Sequence, residues 1–132
     1  MLFDLTPLNV LFHYGLSGGR WWAEQLQKSR ILKKLLKEQD KAGRICGAVC
    51  SSPAILHKYG LPKEKRATAH PSAISMLTNA VDGANLVIDG KIITGKGLGT
   101  VLDFALAIVS KLFDDARARS VAEGLIFEFS RR

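Results

Sequence analysis

Cysteine is scarce in this chain: only Cys46 and Cys50 are present. Two thiols four residues apart are no disulfide framework. On a single strand they would share a face but stand too far apart for an easy bridge. Free thiols suggest a reducing compartment, so a cytoplasmic location is expected, with plastid or nucleus as alternatives. No apolar run is long enough to span a membrane. The N-terminal MLFDLTPLNVLFHYG is apolar, but it lacks a basic n-region and a small-residue cleavage signal. It also lacks the Arg/Ser richness of a transit peptide. No repeat, low-complexity tract or linker interrupts the chain, so residues 1–132 read as one domain. No metal site or cofactor is expected.

Negative charge is the other shortage. Twelve acidic residues face nineteen basic ones, giving a formal net charge of +7. The imbalance is local. Lys28, Arg30, Lys33, Lys34, Lys37, Lys41 and Arg44 fall in one segment with only Glu38 and Asp40 against them. Such a segment can be a footprint for nucleic acid or acidic surfaces. No nucleic-acid module accompanies it, and only Trp21 and Trp22 offer nearby stacking. The preferred reading is therefore the solvated face of an amphipathic helix, with nucleic acid not expected as a partner.

The apolar pattern sets out alternating elements. Asn9–Tyr14 reads as a short strand and LSGG, Leu16–Gly19, as a turn. From Trp21 to about Asp40 apolar residues recur at three- and four-residue steps, with Gly43 placed to end the helix. Ile45–Val49 is short, apolar on both faces and suited to a strand covered on two sides. Ser52 is expected as an N-cap and Pro53 as the first residue of a helix that stops at Gly60. Arg66–Ala69 reads as a second short strand, and Ser72–Thr78 as a helical turn. Asp89-Gly90 is expected to turn a hairpin between Leu86–Ile88 and Lys91–Thr94. Thr100 then caps the longest helix, with Asp103 as capping partner. Val101, Ala105, Ile108, Val109 and Leu112, widened by Leu102, Phe104, Leu106 and Phe113, predict deep packing. Strands alternating with helices predict an α/β domain with a mostly parallel sheet, and ligand sites at the strands' carboxyl ends.

Cys50 sits at such an end. A cysteine just before a helix N-terminus meets unpaired N–H groups and the positive end of the helix dipole, both of which favour thiolate. The same turn exposes the serine of Gly-x-Ser-x-Gly elbows. Here Gly47, Ser51 and Ser52 surround the cysteine. Two readings stay open, a reactive thiol and a buried small hydrophobe. Cys46, inside the strand, reads as core. Of the histidines, His57 reads as surface, His13 is undecided, and His70 lies at the end of the next strand, where a site residue would stand. The amide of Ser51 and the Gly18-Gly19 turn are the candidate oxyanion donors.

Four separated stretches resemble one family in order. They are LSGG, RICGAVCSSP, ATAHP, and LVIDGKIITGKGLGT with VLDFALAIVSKL. They are similar to the glycine turn, cysteine elbow, His-Pro strand end, and closing hairpin and helix of the DJ-1/PfpI superfamily, in its plant-type form. The resemblance implies a flavodoxin-like three-layer sandwich. It implies Cys50 as nucleophile, His70 as its neighbour, and the amides of Gly19 and Ser51 as the oxyanion site. It also implies activity on small reactive carbonyls such as methylglyoxal, of glutathione-independent glyoxalase or deglycase type, in stress protection. The alternative is a non-enzymatic redox-sensing or chaperone-like role. A homo-oligomer or tandem-domain partner is expected.

Two departures qualify the resemblance. Serine replaces the family's proline in LSGG, followed by the bulky Trp21 and Trp22. The family's preceding part, with its first strands, a helix and a glutamate facing the cysteine, has no counterpart. The domain is therefore expected to be truncated at the N-terminus. An open sheet edge beside Ile45–Val49, an exposed apolar patch and impaired turnover are the expected consequences.

Overall fold

The computed structural model describes residues 2–5, 8–12, 24–25, 27–60 and 64–129. Strand β1 is Leu2–Leu5, β2 is Leu8–Phe12, β3 is Ile45–Val49, β4 is Leu86–Asp89 and β5 is Ile92–Gly95. They form one sheet in the order β1-β2-β3-β5-β4. β2, β3 and β5 run parallel, with Val10 beside Gly47 and Gly47 beside Ile93. β1 and β4 join antiparallel at the two edges, so the sheet is mixed, parallel only at its centre. Short turns leave no room for a crossover, and each edge strand must fold straight back on its neighbour. The edge beside Ile45–Val49 is not open, as had been expected: β2 covers one side of β3 and β5 the other.

Helices lie on both faces. α1 spans Arg30–Lys41, α2 Ser52–Lys58, α3 Val101–Leu112 and α4 Asp115–Gly124. Alternation along β3 assigns the faces. Cys46 and Ala48 pack with Leu32 and Leu36 of α1, with Ile55, Leu56 and Tyr59, and with Ile92. Ile45 and Val49 pack with Leu86, Ile93, Phe104, Ala107 and Ile108 under α3. This is the α/β layering that the alternating pattern implied and the three-layer sandwich that the resemblance implied.

Several boundaries differ from the sequence reading. The helix expected from Trp21 breaks at Ser29, whose hydroxyl accepts from the Leu32 N–H and caps α1; a serine there is worth more as a cap than as a helix-interior residue. Arg66–Ala69 is not a sheet strand. β4 already occupies that side of β5, so Thr68 N–H donates instead to the Thr94 hydroxyl at 3.0 Å, and a single bridge joins Ala67 to Ala80. Ser72–Thr78 contains a 3₁₀ turn, Ile74–Met76. The hairpin turn is Gly90-Lys91, one residue later than expected, with Asp89 paired to Ile92. Gly90 has φ +61°, which a first central turn position of this kind requires. Thr100 precedes α3 but does not cap it; its hydroxyl bonds the Gly97 backbone within the 3₁₀ turn Leu98–Thr100. α3 buries Phe104, Leu106, Ala107 and Ile108, while Leu102, Ala105 and Phe113 are exposed, so the apolar stripe is only partly covered.

Asp89 ties the hairpin to residues 65–66. Its carboxylate accepts the Arg66 N–H at 2.8 Å and lies 3.9 Å from Lys65 Nζ. The backbone hydrogen bond, then the two cations, hold its pKa below the ordinary 3.8. A lowered native pKa adds stability above the unfolded value that is lost as pH falls through the native one. Urea midpoints should therefore fall more steeply below about pH 4 in the native chain than in Asp89→Asn. Parallel acid profiles would show that this carboxylate is not held.

Candidate active site

β3 ends at Val49, and the chain reverses into α2 through Cys50 and Ser51. Cys50 adopts φ +67°, a left-handed conformation that costs a non-glycine residue about 1–2 kcal/mol. The strain is held by two backbone bonds. Cys50 N–H donates to the Gly95 carbonyl at 3.1 Å, and the Cys50 carbonyl accepts the His70 N–H at 2.7 Å. The neighbouring strand and the segment ending at His70 thus fix the turn from both sides.

Ser51, not Ser52, occupies the N-cap position of α2, and its side chain makes no cap hydrogen bond. The left-handed turn at Cys50 starts the helix one residue early. Pro53, without an N–H, then falls at the second helical position. Ser52 is fully buried, and among the described residues its hydroxyl has no partner. Among the described residues the Ser51 N–H donates to no backbone acceptor.

The two thiols are unlike. Cys50 is half-buried, whereas Cys46 is 4% exposed. Burial, reinforced by the Asp40 charge, pushes the Cys46 thiol up to about 12. It is a packed core residue, as the strand pattern implied.

His70 is exposed and placed by its backbone bond to Cys50. Its Nδ1 accepts the Ser72 N–H at 3.2 Å and lies 2.8 Å from the Ser72 hydroxyl. A backbone N–H can only donate, so the neutral ring carries its proton on Nε2. Among the described residues no hydrogen bond joins the Cys50 sulfur to the ring. Sequence reasoning missed the Ser72 contact, although a serine two residues after histidine is the local signal for it. His57, read as surface, bonds the Thr78 hydroxyl through Nε2 at 3.0 Å. Gly19, Gly18, His13, Trp21 and Trp22 lie outside the described residues.

Among the described residues no cluster of three or more His, Cys, Asp or Glu side chains could hold a metal ion. No described helix is long and apolar enough to cross a membrane.

A strained strand-to-helix cysteine and a histidine whose N–H is bonded to its carbonyl define an elbow-type α/β protein. The DJ-1/PfpI family model matches residues 15–111, and the chain belongs to that family. It is similar to Protein DJ-1 homolog B of Arabidopsis thaliana, at 43% identity over 115 residues, 86% of this chain and 26% of that protein. It is also similar to Glutathione-independent glyoxalase DJR-1.2 of Caenorhabditis elegans, at 34% over 105 residues, 76% of this chain and 55% of that one. The crystal structure of Drosophila melanogaster DJ-1beta superposes with a TM-score of 0.80 at 32% identity, covering 91% of this chain and 64% of that one. The chain therefore spans less than two thirds of the length of each of these relatives.

Proposed function

We propose that this protein acts on small reactive carbonyls, with Cys50 as nucleophile, in protection against carbonyl stress. The observation that carries the reading is the left-handed Cys50 at the carboxyl end of β3, held from both sides by backbone hydrogen bonds. A relative named as a glutathione-independent glyoxalase is 34% identical, which supports the substrate class.

The Cys50 thiolate adds to the aldehyde carbon of a 2-oxoaldehyde such as methylglyoxal. A sulfur–carbon bond forms, and the carbonyl π pair moves to oxygen. The Ser51 amide receives that oxyanion, and the Gly19 amide is the expected second donor. His70, with its proton on Nε2, donates to the same oxygen rather than acting as a base. Conversion of the hemithioacetal to lactate then needs a carbon-bound proton moved to the adjacent carbon, and water to release the thiol. Among the described residues no carboxylate is hydrogen-bonded to Cys50. Rapid adduct formation and slow lactate release are the expected kinetics.

The test is mass spectrometry with and without methylglyoxal, paired with a lactate assay. The native chain should carry an adduct on Cys50 and none on Cys46. Cys50→Ala should lose both the adduct and lactate above background. Equal lactate from Cys50→Ala, or modification of Cys46 first, would end the reading.

A further inference from the structure

The edge strand β4 and the helices α3 and α4 enclose a groove that the Cys50 chemistry does not use. Leu86 and Ile88, two apart on β4, both turn toward α3 and share the core layer under it. Asp103, Ala107 and Ser110 follow on α3 at steps of four and three residues, so they occupy one face of that helix. From Asp103 to Lys111 the helix wall is about 12 Å long. Asp115, at the start of α4, and Phe129 complete a cavity of about 520 Å³. That volume lies in the range of small-molecule sites. No residue of the elbow lines it.

The lining carries two chemistries. Leu86 and Ala107 are buried and Ile88 and Phe129 half-buried, which gives the groove an apolar floor. Asp103 and Asp115 are half-buried at its polar rim, and the Ser110 hydroxyl donates to the Asp115 carboxylate and orients it. The cation of the lining, Lys111, is exposed. Two half-buried carboxylates against one exposed ammonium make the groove acidic in a chain whose formal net charge is +7. An anion would be repelled there. A neutral hydrophobe would cover the floor but strip water from the carboxylates and return nothing to them, which costs free energy. Among the described residues no cluster of three metal-ligating side chains forms, so a metal ion does not suit the groove either. A carboxylate can accept several hydrogen bonds, so the Ser110 contact does not exhaust Asp115. We propose that this groove binds a small organic amine, its apolar body on the floor and its protonated nitrogen against the rim carboxylates. The site is separate from the Cys50 chemistry and takes a ligand of a different class.

The experiment is a ¹H–¹⁵N NMR titration of the full chain with tryptamine. Tryptophol and indole-3-acetate serve as comparisons, because they keep the ring and exchange the ammonium for a hydroxyl or a carboxylate. Tryptamine should shift the amides of Leu86, Ile88, Ala107 and Ser110 saturably. Tryptophol should bind about tenfold more weakly, the loss expected when a charged hydrogen bond is removed, and indole-3-acetate more weakly still. Asp103→Asn with Asp115→Asn should lower tryptamine to the affinity of tryptophol. Asp82→Asn with Glu123→Gln makes the same change of charge outside the groove and should leave the affinity as it was. Circular dichroism confirms that both pairs are folded. The comparison of the three ligands on the native chain needs no variant, so the proposal can fail even if the first pair does not fold. Absence of saturable shifts at the groove amides overturns it. Tryptophol or indole-3-acetate binding as tightly as tryptamine overturns it as well. Equal weakening by the two pairs would make net charge responsible and overturn it too.

Discussion

Phe104→Ala should destabilise the protein by about 3–5 kcal/mol, the largest loss expected from a single core truncation. Phe104 is 3% exposed and belongs to the core layer between the sheet and α3. Its ring fills the space above two glycines on adjacent parallel strands. A Cβ built at Gly47 would lie 2.9 Å from the ring, and one at Gly95 would lie 3.3 Å from it. Nothing small on the strands can move up to fill the hole, so the cavity term should appear almost in full. A domain of this size has roughly 5–15 kcal/mol in hand, so the variant should sit near its unfolding threshold at ambient temperature. Urea unfolding measures the loss as a lower midpoint with an unchanged slope. The elbow should respond too, because Gly95 supplies the carbonyl that holds the Cys50 N–H. Hydrogen exchange at the Cys50 amide should accelerate more than at Leu36 on the other face. A loss below about 1 kcal/mol would mean that α3 is not seated by this ring.

The elbow was legible because its signal is local. A doubly buried strand, a cysteine and a Ser-Ser-Pro helix start lie in one short run, and the position of Cys50 at a carboxyl end follows from that run alone. The exact helix start was not legible. Ser51 and Ser52 are equal as caps by residue type, and the left-handed turn at Cys50 moves the start to Ser52 itself and leaves that hydroxyl buried. Arg66–Ala69 misled for a different reason. Its residues suit a strand, yet pairing depends on a vacant sheet edge, and β4 had filled it through a hairpin of strong local preference. The stripe of α3 overstated burial because periodicity marks a face, while the width covered depends on what packs there. Leu102 and Phe113 fall outside the sheet's reach and stay 44% and 68% exposed. His70 shows the limit for chemistry. Its place beside Cys50 follows from the order of elements, but its proton's position depends on a backbone N–H two residues away.

Gly47→Val should cost about 2–3 kcal/mol, although valine is the better strand former. β3 is the central strand, and its Gly47 position faces α3. Beyond the Phe104 contact at 2.9 Å, the new Cβ would lie 3.7 Å from Ile108 Cδ1, before the two valine methyls are added. An aromatic ring edge could often yield to such a contact. Here the ring is buried, and the same edge already lies close over Gly95 in a core layer shared with Val49, so retreat means moving α3. The sharper measurement is a double-mutant cycle. In a Phe104→Ala background the valine methyls would enter the space left by the ring, and the two losses should not add. The double variant is expected to be more stable than the sum of the singles by about 1–3 kcal/mol. Additive losses would mean that Gly47 is required for the strand's own backbone and not for the approach of Phe104. A positive coupling locates the constraint in the contact between β3 and α3. The elbow would then depend on glycine three residues before Cys50 because the helix on the far face must come close enough to hold β5, and with it the Gly95 carbonyl, against the turn.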